Sequence, residues 1–395
     1  MTSLRNPDLA TLPPPGRDEL AAWLRLSLTD GVGAATAVML LSVFGSPERV
    51  LGASHRAVSE VVGAAIATRL VRLDPEVDAR VESSLAWADH PDQHILTLGE
   101  PHYPRSLLDI PDPPVLLFVR GDVNCLNQPM LAIVGSRHAS RGGLENAQAF
   151  AHELAARGIC IASGLALGID GAAHQGAIAA NGLTVGVLGT GLANIYPARH
   201  RALADKVCLN GALVSEFDLA SGPRRGHFPR RNRIIAGLSA GVLVIEAASQ
   251  SGSLITARLA GEYGRDVFAV PGSIHSPHSK GCHRLIRDGA RLVESTEDVL
   301  SECRPDFLSA ANACRELISP SASAIRVVKQ SESNLDKDSR AVLKSMGWDS
   351  VSYDSLSSKV NLDNSQLDHT LLQLELDGWL ERSPDGRLTR LSGPA

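Results

Sequence analysis

Seven short apolar runs divide the middle of the chain. They begin at Leu131 (LAIVG), Ile159 (ICIAS), Val185 (VGVLG), Ala212 (ALVSE), Val242 (VLVIE), Val267 (VFAVP) and Arg291 (RLV). Successive starts lie 28, 26, 27, 30, 25 and 24 residues apart, and helical patterns fill most of the gaps. A strand and the crossover helix that returns the chain to a parallel neighbour need about this length. The runs are continuously apolar rather than alternating, as strands buried on both faces should be. The spacing predicts the α/β class, with a doubly wound, mostly parallel sheet of the Rossmann kind.

At 395 residues the chain is too long for one ordinary core. A Pro-rich lead ends near Gly16, and a helical region follows to about residue 85. Within it, LTDGVGAATAVMLLSVFGSPERVL holds a tight Gly-Val-Gly turn between two helical patterns. That turn fits a helix-hairpin-helix unit, whose backbone N–H groups can meet a phosphate. It fits equally a plain turn in a small helical bundle. Residues 306–336 are rich in Ser, Ala and charge and read as a linker. The last 60 residues show three helical patterns and then LERSPDGRLTRL, two short strands around an Asp-Gly turn. This predicts a winged helix. The expected domains are 1–88 (helical), 89–303 (Rossmann-like), 304–335 (linker) and 336–395 (winged helix). The six cysteines form no C-x-x-C pair, and Cys160 lies in an apolar run, which suits a reduced compartment. The start of the sequence has no apolar leader, and no run approaches 18 uncharged apolar residues. The expected location is the cytoplasm, with no membrane association.

Ligands of open α/β sheets bind beyond the carboxyl ends of the strands. Here those ends read VGSR, ASGLALGID, LGTG, SEFD, EAASQSGS and VPGS. Small residues let an anion approach backbone N–H groups, and helix N-termini favour negative charge. Gly135, Ser136, Ser163, Gly164, Ser251, Gly252, Ser253 and Thr256 are therefore candidate anion-site residues. A dinucleotide cofactor is not expected. Gly189 and Gly191 give G-x-G, but Asn194 stands where a third Gly belongs, and the motif follows the third run instead of the first. No G-x-x-x-x-G-K-[ST] is present.

The stretch RRGHFPRRNRIIAG sets Arg224, Arg225, Arg230, Arg231 and Arg233 within ten positions, with no acid among them, in a chain of net charge −5. It lies between the fourth and fifth runs and should open onto the same edge as Arg137, which follows the first run. Arginine pairs phosphate in a bidentate fork and also stacks on bases. Phe228 could stack on an unpaired base. Asn232 could bond a base edge or a loop carbonyl. The competing role for each arginine is to bridge Glu216, Asp218 or Glu246, or to cap a helix; local acids are too few to occupy all five. The cluster points to a polyanion site, foremost single-stranded nucleic acid.

In order, AIVGSR, GICIASGLALGIDGAAHQGAI, TVGVLGTGLANIYPARHRALA, the long stretch from LVSEFD to VFAVPGS, and GCHRLIRDGARLV resemble the DNA-processing protein A family. The lead-in HYPRSLLDIPDPPVLLFVRGD is similar to it too. The likeness covers about residues 95–300, and the flanks resemble the family's sterile-alpha-motif-like and winged-helix domains. It implies an extended Rossmann-like fold and a homodimer formed through that domain. It also implies a non-enzymatic protein without cofactor that binds and protects single-stranded DNA in natural transformation and loads the recombinase RecA onto it. The family's G-S-R matches Gly135, Ser136 and Arg137; its basic position matches Arg225, its Phe matches Phe228, and its R-N-R matches Arg231, Asn232 and Arg233. The usual Thr is Ser140, the usual Y-G is Gly142-Gly143, and a frequent basic residue is Leu167.

Other chemistries fit less well. SQSGSLITARLA resembles the phosphate loop of nucleoside-monophosphate phosphoribohydrolases of the "lonely guy" type, but Ala257-Arg258 stand where their catalytic Glu belongs. His275, His278, Cys282 and His283 are zinc-ligand types on one Pro- and Gly-containing loop with no second cluster, so a solvated loop is expected. His174 is expected to be a buried structural histidine, and Asp170 an N-cap or loop organiser. The would-be recognition helix, NSQLDHTLLQLELDG, carries Asp368, Glu375 and Asp377 and no Lys or Arg. That suits a protein partner better than a phosphate backbone.

Overall fold

The computed structural model describes residues 15–72, 74–318, 335–347, 351–360, 362–382 and 386–391. They fall into two units, which are taken in turn.

The larger unit opens with six helices: α1 (Arg17–Leu28), α2 (Ala34–Phe44), α3 (Pro47–Gly52), α4 (His55–Val62), α5 (Ala64–Val71) and α6 (Pro75–Ala88). Gly31 has φ +88°, a left-handed backbone that glycine adopts without cost, and Gly33 is the N-cap of α2. Leu24, Leu26, Leu40, Val58 and Ala67 are fully buried in the helical core. That core runs on into the sheet through Leu116, Phe118 and Leu213. Trp87 meets Phe118 edge-on at 5.8 Å, and Arg80 pairs with Asp218 at 2.8 Å.

The sheet strands and their helices follow: β1 (Gln93–Thr97), β2 (Leu116–Gly121), β3 (Met130–Val134), α7 (Arg141–Ala156), β4 (Cys160–Ser163), α8 (Ile169–Ala179), β5 (Thr184–Val187), α9 (Arg201–Leu209), β6 (Gly211–Ser215), α10 (His227–Leu238), β7 (Gly241–Val244), α11 (Ser253–Glu262), β8 (Asp266–Ala269), α12 (Lys280–Arg287) and β9 (Arg291–Leu292). The strand order is β1-β2-β6-β5-β4-β3-β7-β8-β9. From β6 to β9 every pairing is parallel. The seven apolar runs are β3 to β9. The chain winds outward from β3 to β6 on one side, then returns to lay β7 against the other side of β3. This is a doubly wound sheet with its switch point at the carboxyl ends of β3 and β7. β1 and β2 extend it: β1 pairs antiparallel with β2, and β2 antiparallel with β6. An antiparallel pair needs no crossover helix, so these two strands fall outside the 24–30 residue period.

Two further helices, α13 (Thr296–Glu302) and α14 (Pro305–Ile318), complete the larger unit. The expected linker is corrected in its first part, because α14 is a helix that buries Ala311 and Cys314. Residues 319–334, the rest of that linker, lie outside the described residues.

The smaller unit holds α15 (Lys337–Met346), α16 (Tyr353–Ser357), α17 (Asn364–Leu376), β10 (Leu380–Arg382) and β11 (Leu388–Arg390). β10 and β11 pair antiparallel, and Val351 bridges to Leu388, which makes three helices and a wing. Leu343, Leu367, Leu371, Leu374 and Trp379 form its core. No helix among the described residues is long and apolar enough to cross a membrane.

Candidate nucleic-acid interface

The first functional loop leaves β3 at the switch point. A Cβ on Gly135 would collide with Ile169 and the Glu246 carbonyl, so only glycine fits there. The next residue is stapled on both sides. Ser136 N–H donates to Glu246 O at 2.7 Å, and Ser136 O accepts from Ile169 N–H at 3.2 Å. The Ser136 hydroxyl accepts from His138 N–H at 3.1 Å. The loop is thereby fixed, and Arg137 is turned outward and exposed. Its guanidinium stands 5.2 Å from the centre of the Phe228 ring, a cation–π contact. Ser140, further along, opens α7 and accepts from Gly143 N–H at 3.0 Å.

Phe228 comes from the first turn of α10. It lies against Gly189, where a Cβ would reach within 2.8 Å of the ring. On its other side Tyr196 stands 5.8 Å away at 51°. Tyr196 is 46% exposed, and the Phe228 ring is half-buried. Arg137, Phe228 and Tyr196 therefore converge from two loops and the first turn of α10 at one sheet edge. Sequence reasoning missed Tyr196. Its signal was present in LANIYPARH: an aromatic residue in the loop between β5 and α9, which leaves a strand's carboxyl end.

Beside this group, His227 stacks on Phe217 with ring centres 4.0 Å apart, and Arg230 lies over the same Phe217 at 5.3 Å. The His227 Nδ1 bonds the Gly189 carbonyl at 3.2 Å, and burial lowers the imidazole's pKa. Arg224 and Arg225 are exposed in the turn before α10, and no acid among the described residues pairs with either.

Arg231 and Arg233 are corrections to the expected phosphate-facing set. Arg231 is 4% exposed and donates to the carbonyls of Gly164 and Val187. Burial pushes its pKa down to about 10, with the Asp170 carboxylate acting in the opposite sense. Arg233 is 5% exposed and is held by Glu216 and by Asp112, whose carbonyl it reaches at 2.7 Å. Both guanidiniums are spent inside the protein, so the competing role as bridges is the one they fill. Ser163 and Gly164 are corrected too. The Ser163 hydroxyl is buried and donates to Ile133 O at 2.6 Å. Gly164 N–H donates to Asp170 at 3.2 Å, and a Cβ on Gly164 would strike the Arg231 guanidinium.

Asn232 bonds a loop carbonyl, donating to Gly252 O at 3.2 Å, while its Oδ1 accepts from Arg231 at 3.2 Å. Ser251 and Ser253 share a hydroxyl bond of 2.7 Å at the start of α11. Ser253 and Thr256 are turned inward and buried; Gly252 is exposed and Ser251 half-exposed.

The other titratable groups have structural positions. Asp170 is buried and accepts from the N–H groups of Gly164 and Ala166, as a loop organiser should. Burial raises its pKa against the pull of Arg231 and those N–H donors. His174 is buried and meets the Thr184 hydroxyl at 2.7 Å. Cys282 is buried with its thiol toward Val244 O and Ile245 O, while His283 bonds the Gly272 carbonyl at 2.9 Å. Among the described residues no three His, Cys, Asp or Glu side chains converge as metal ligands.

A sequence profile described as DNA recombination-mediator protein A matches residues 94–304, more than half of the chain. The chain belongs to that family. A second profile, the DprA winged helix domain, matches residues 328–386. Protein Smf of Escherichia coli is 41% identical over 307 residues, covering 78% of this chain and 80% of that relative. DNA processing protein DprA of Streptococcus pneumoniae is 48% identical over 200 residues, 51% of this chain and 71% of that one. The X-ray structure of DNA processing protein A from Streptococcus pneumoniae is similar with a TM-score of 0.63 and 35% identity, over 74% of this chain and 99% of that one. The first profile thus spans the sheet, and the second reaches over most of the smaller unit.

Proposed function

We propose that the protein binds single-stranded DNA at the carboxyl edge of its large sheet, protects it, and delivers it to RecA without catalysing a reaction. The observation that carries this is the half-buried Phe228 ring, set between the Arg137 guanidinium and the exposed Tyr196 ring. An unpaired base has a π face to lay on such rings, whereas paired bases keep theirs inside the duplex. Stacking of this kind contributes about 1–3 kcal/mol per base. Arg137 at the Phe228 ring, Arg230 at Phe217, and the exposed Arg224 and Arg225 just before α10 supply sequence-independent attraction to phosphates. Arg231, Asn232 and Arg233 do not touch the strand in this reading; they hold the edge in shape. Ser251 and Gly252 lend hydroxyl and backbone groups, while Gly135 and Ser136 fix the loop that presents Arg137.

Family membership supports RecA as the protein partner and a homodimer as the working form. Asp170 and His174, the two titratable groups that the sequence singled out beside the edge, are both committed to hydrogen bonds within the protein, which supports a binding role. Six unpaired cysteines suit a reduced cytoplasm. The winged helix serves a partner, because α17 exposes Leu372 and Leu376 beside Glu375.

The test is fluorescence anisotropy of labelled oligo-dT against a duplex of equal length, for the parent and an Arg225→Ala/Phe228→Ala variant. Tight single-strand binding in the parent, weakened at least tenfold in the variant, is the expected outcome. Equal affinity for duplex and single strand, or a variant that binds like the parent, would overturn the assignment.

A further inference from the structure

The Gly-Val-Gly turn of the N-terminal helices plays no part in the interface described above. It borders a groove of about 460 Å³ in the larger unit. One wall is the first turn of α2, Gly33 to Thr36, which carries no charged side chain. The facing wall comes from α10 and α11. Pro229, Ile255 and Leu259 give it an apolar floor, and Tyr263 adds a half-buried ring.

Two exposed arginines stand on this groove, Arg230 and Arg258. Neither is firmly engaged. The carboxylate nearest Arg230 is Glu216 at 3.8 Å, which Arg233 already holds. Arg258 has an exposed pair with Glu262 at 3.6 Å, a type of contact with little net stability. Asp112 also lines the groove, but its carboxylate faces Arg233 at 3.3 Å. The groove is thus cationic at its rim and apolar beneath, with room for a ligand of nucleotide size. It also meets the interface at Arg230, which both lies over Phe217 and lines the groove. The first turn of α2 has no side-chain cap, which leaves its N–H groups toward the groove as an added attraction for an anion.

We propose that this groove takes a further nucleotide of the strand held at Phe228, with phosphate at Arg230 and Arg258 and the base over the floor against Tyr263. The N-terminal helices then act as one bank of the DNA path. This rests on the single-strand reading of the interface and extends it.

The experiment uses an 18-residue oligo-dT carrying 4-thiothymidine, irradiated on the full-length protein, with crosslinked peptides located by mass spectrometry. Affinity and its salt dependence are measured for the parent, Arg258→Ala and Ala35→Glu. Ala35 is exposed, and a Glu in a helix's first turn is well tolerated, so this second variant blocks the groove without touching an arginine. The expected result is a crosslink at Tyr263 in the parent that both variants lose. Arg258→Ala should weaken binding by roughly tenfold and make the slope of log K against log salt shallower by about 0.7. Crosslinks confined to Phe228 and Tyr196, with Arg258→Ala matching the parent in affinity and slope, would overturn the groove and leave the interface standing. A parent that binds no oligo-dT would overturn both.

Discussion

Arg231 and Arg137 lie at the same sheet edge, yet their surroundings differ in kind. Arg231 bonds the carbonyls that end β4 and β5 and faces the buried Asp170 carboxylate. Removing it takes the donor from two carbonyls and the balancing charge from a buried acid. Arg231→Leu should therefore lower stability by about 3 kcal/mol or more, read as a shift of the urea midpoint. Arg137 is exposed, and its ring contact is with the Phe228 platform. Arg137→Ala should change stability by no more than about 0.5 kcal/mol and weaken oligo-dT binding instead. If Arg137→Ala unfolded the protein, or Arg231→Leu left the midpoint unmoved, the two roles would have been exchanged. Charge alone could not separate these arginines in the sequence. Arg231 and Arg233 are buried because Gly164, Val187, Asp112 and Glu216 are brought to them from 15 or more positions away. Arg224 and Arg225 precede α10, exposed, and no acid among the described residues pairs with either. Only the fold tells them apart.

At the scale of elements, α8 is tied to the sheet through His174. Thr184 Oγ1 donates its proton to Ile161 O at 2.8 Å, so toward His174 it accepts. The imidazole must then carry its proton on Nδ1, and Nε2 is left bare, buried and without a partner. A second proton on Nε2 would create a cation with no acceptor. Burial accordingly lowers the His174 pKa to about 3, from an ordinary 6.5. Between those values the unfolded chain binds the extra proton and the folded chain refuses it. Stability from this group is thus full above pH ~6.5 and is lost as pH falls toward ~3, by up to about 1.4 kcal/mol per unit. Urea midpoints taken from pH 7 to 4 should fall more steeply for the parent than for His174→Asn; parallel curves would mean that His174 ionises freely. The strands around it were legible for a plain reason. A strand buried on both faces must be apolar throughout, and its crossover helix sets the period. β2 is as apolar and buried as the others, but neither it nor β1 has the crossover helix that sets the period, and α14 was hidden in a stretch whose Ser, Ala and charge content fits a linker as well as an exposed helix.

For the whole molecule, net charge and local charge pull in opposite directions. A chain of −5 repels a polyanion at long range, so binding depends on the few arginines that the edge exposes. Arg137, Arg224, Arg225 and Arg230 are the exposed arginines assigned to the interface. If each neutralises one phosphate of a single strand, these four alone give log K a slope against log salt of about −3, before Arg258 adds about −0.7 where the groove is filled. Between 50 and 200 mM salt that is a loss of roughly fiftyfold in affinity. The expected homodimer adds a second edge. A short oligo can occupy only one, and its slope should stay near −3. A strand long enough to span both protomers engages twice the arginines, so its slope should approach −6, and its affinity should rise by avidity without any new kind of contact. Sedimentation at the same protein concentrations gives the assembly state beside each titration. A slope that doubles with length only where the dimer is present would join the two edges into one DNA-binding surface. A slope that stays constant with length in a confirmed dimer would mean that the edges face apart and that each protomer holds its strand alone.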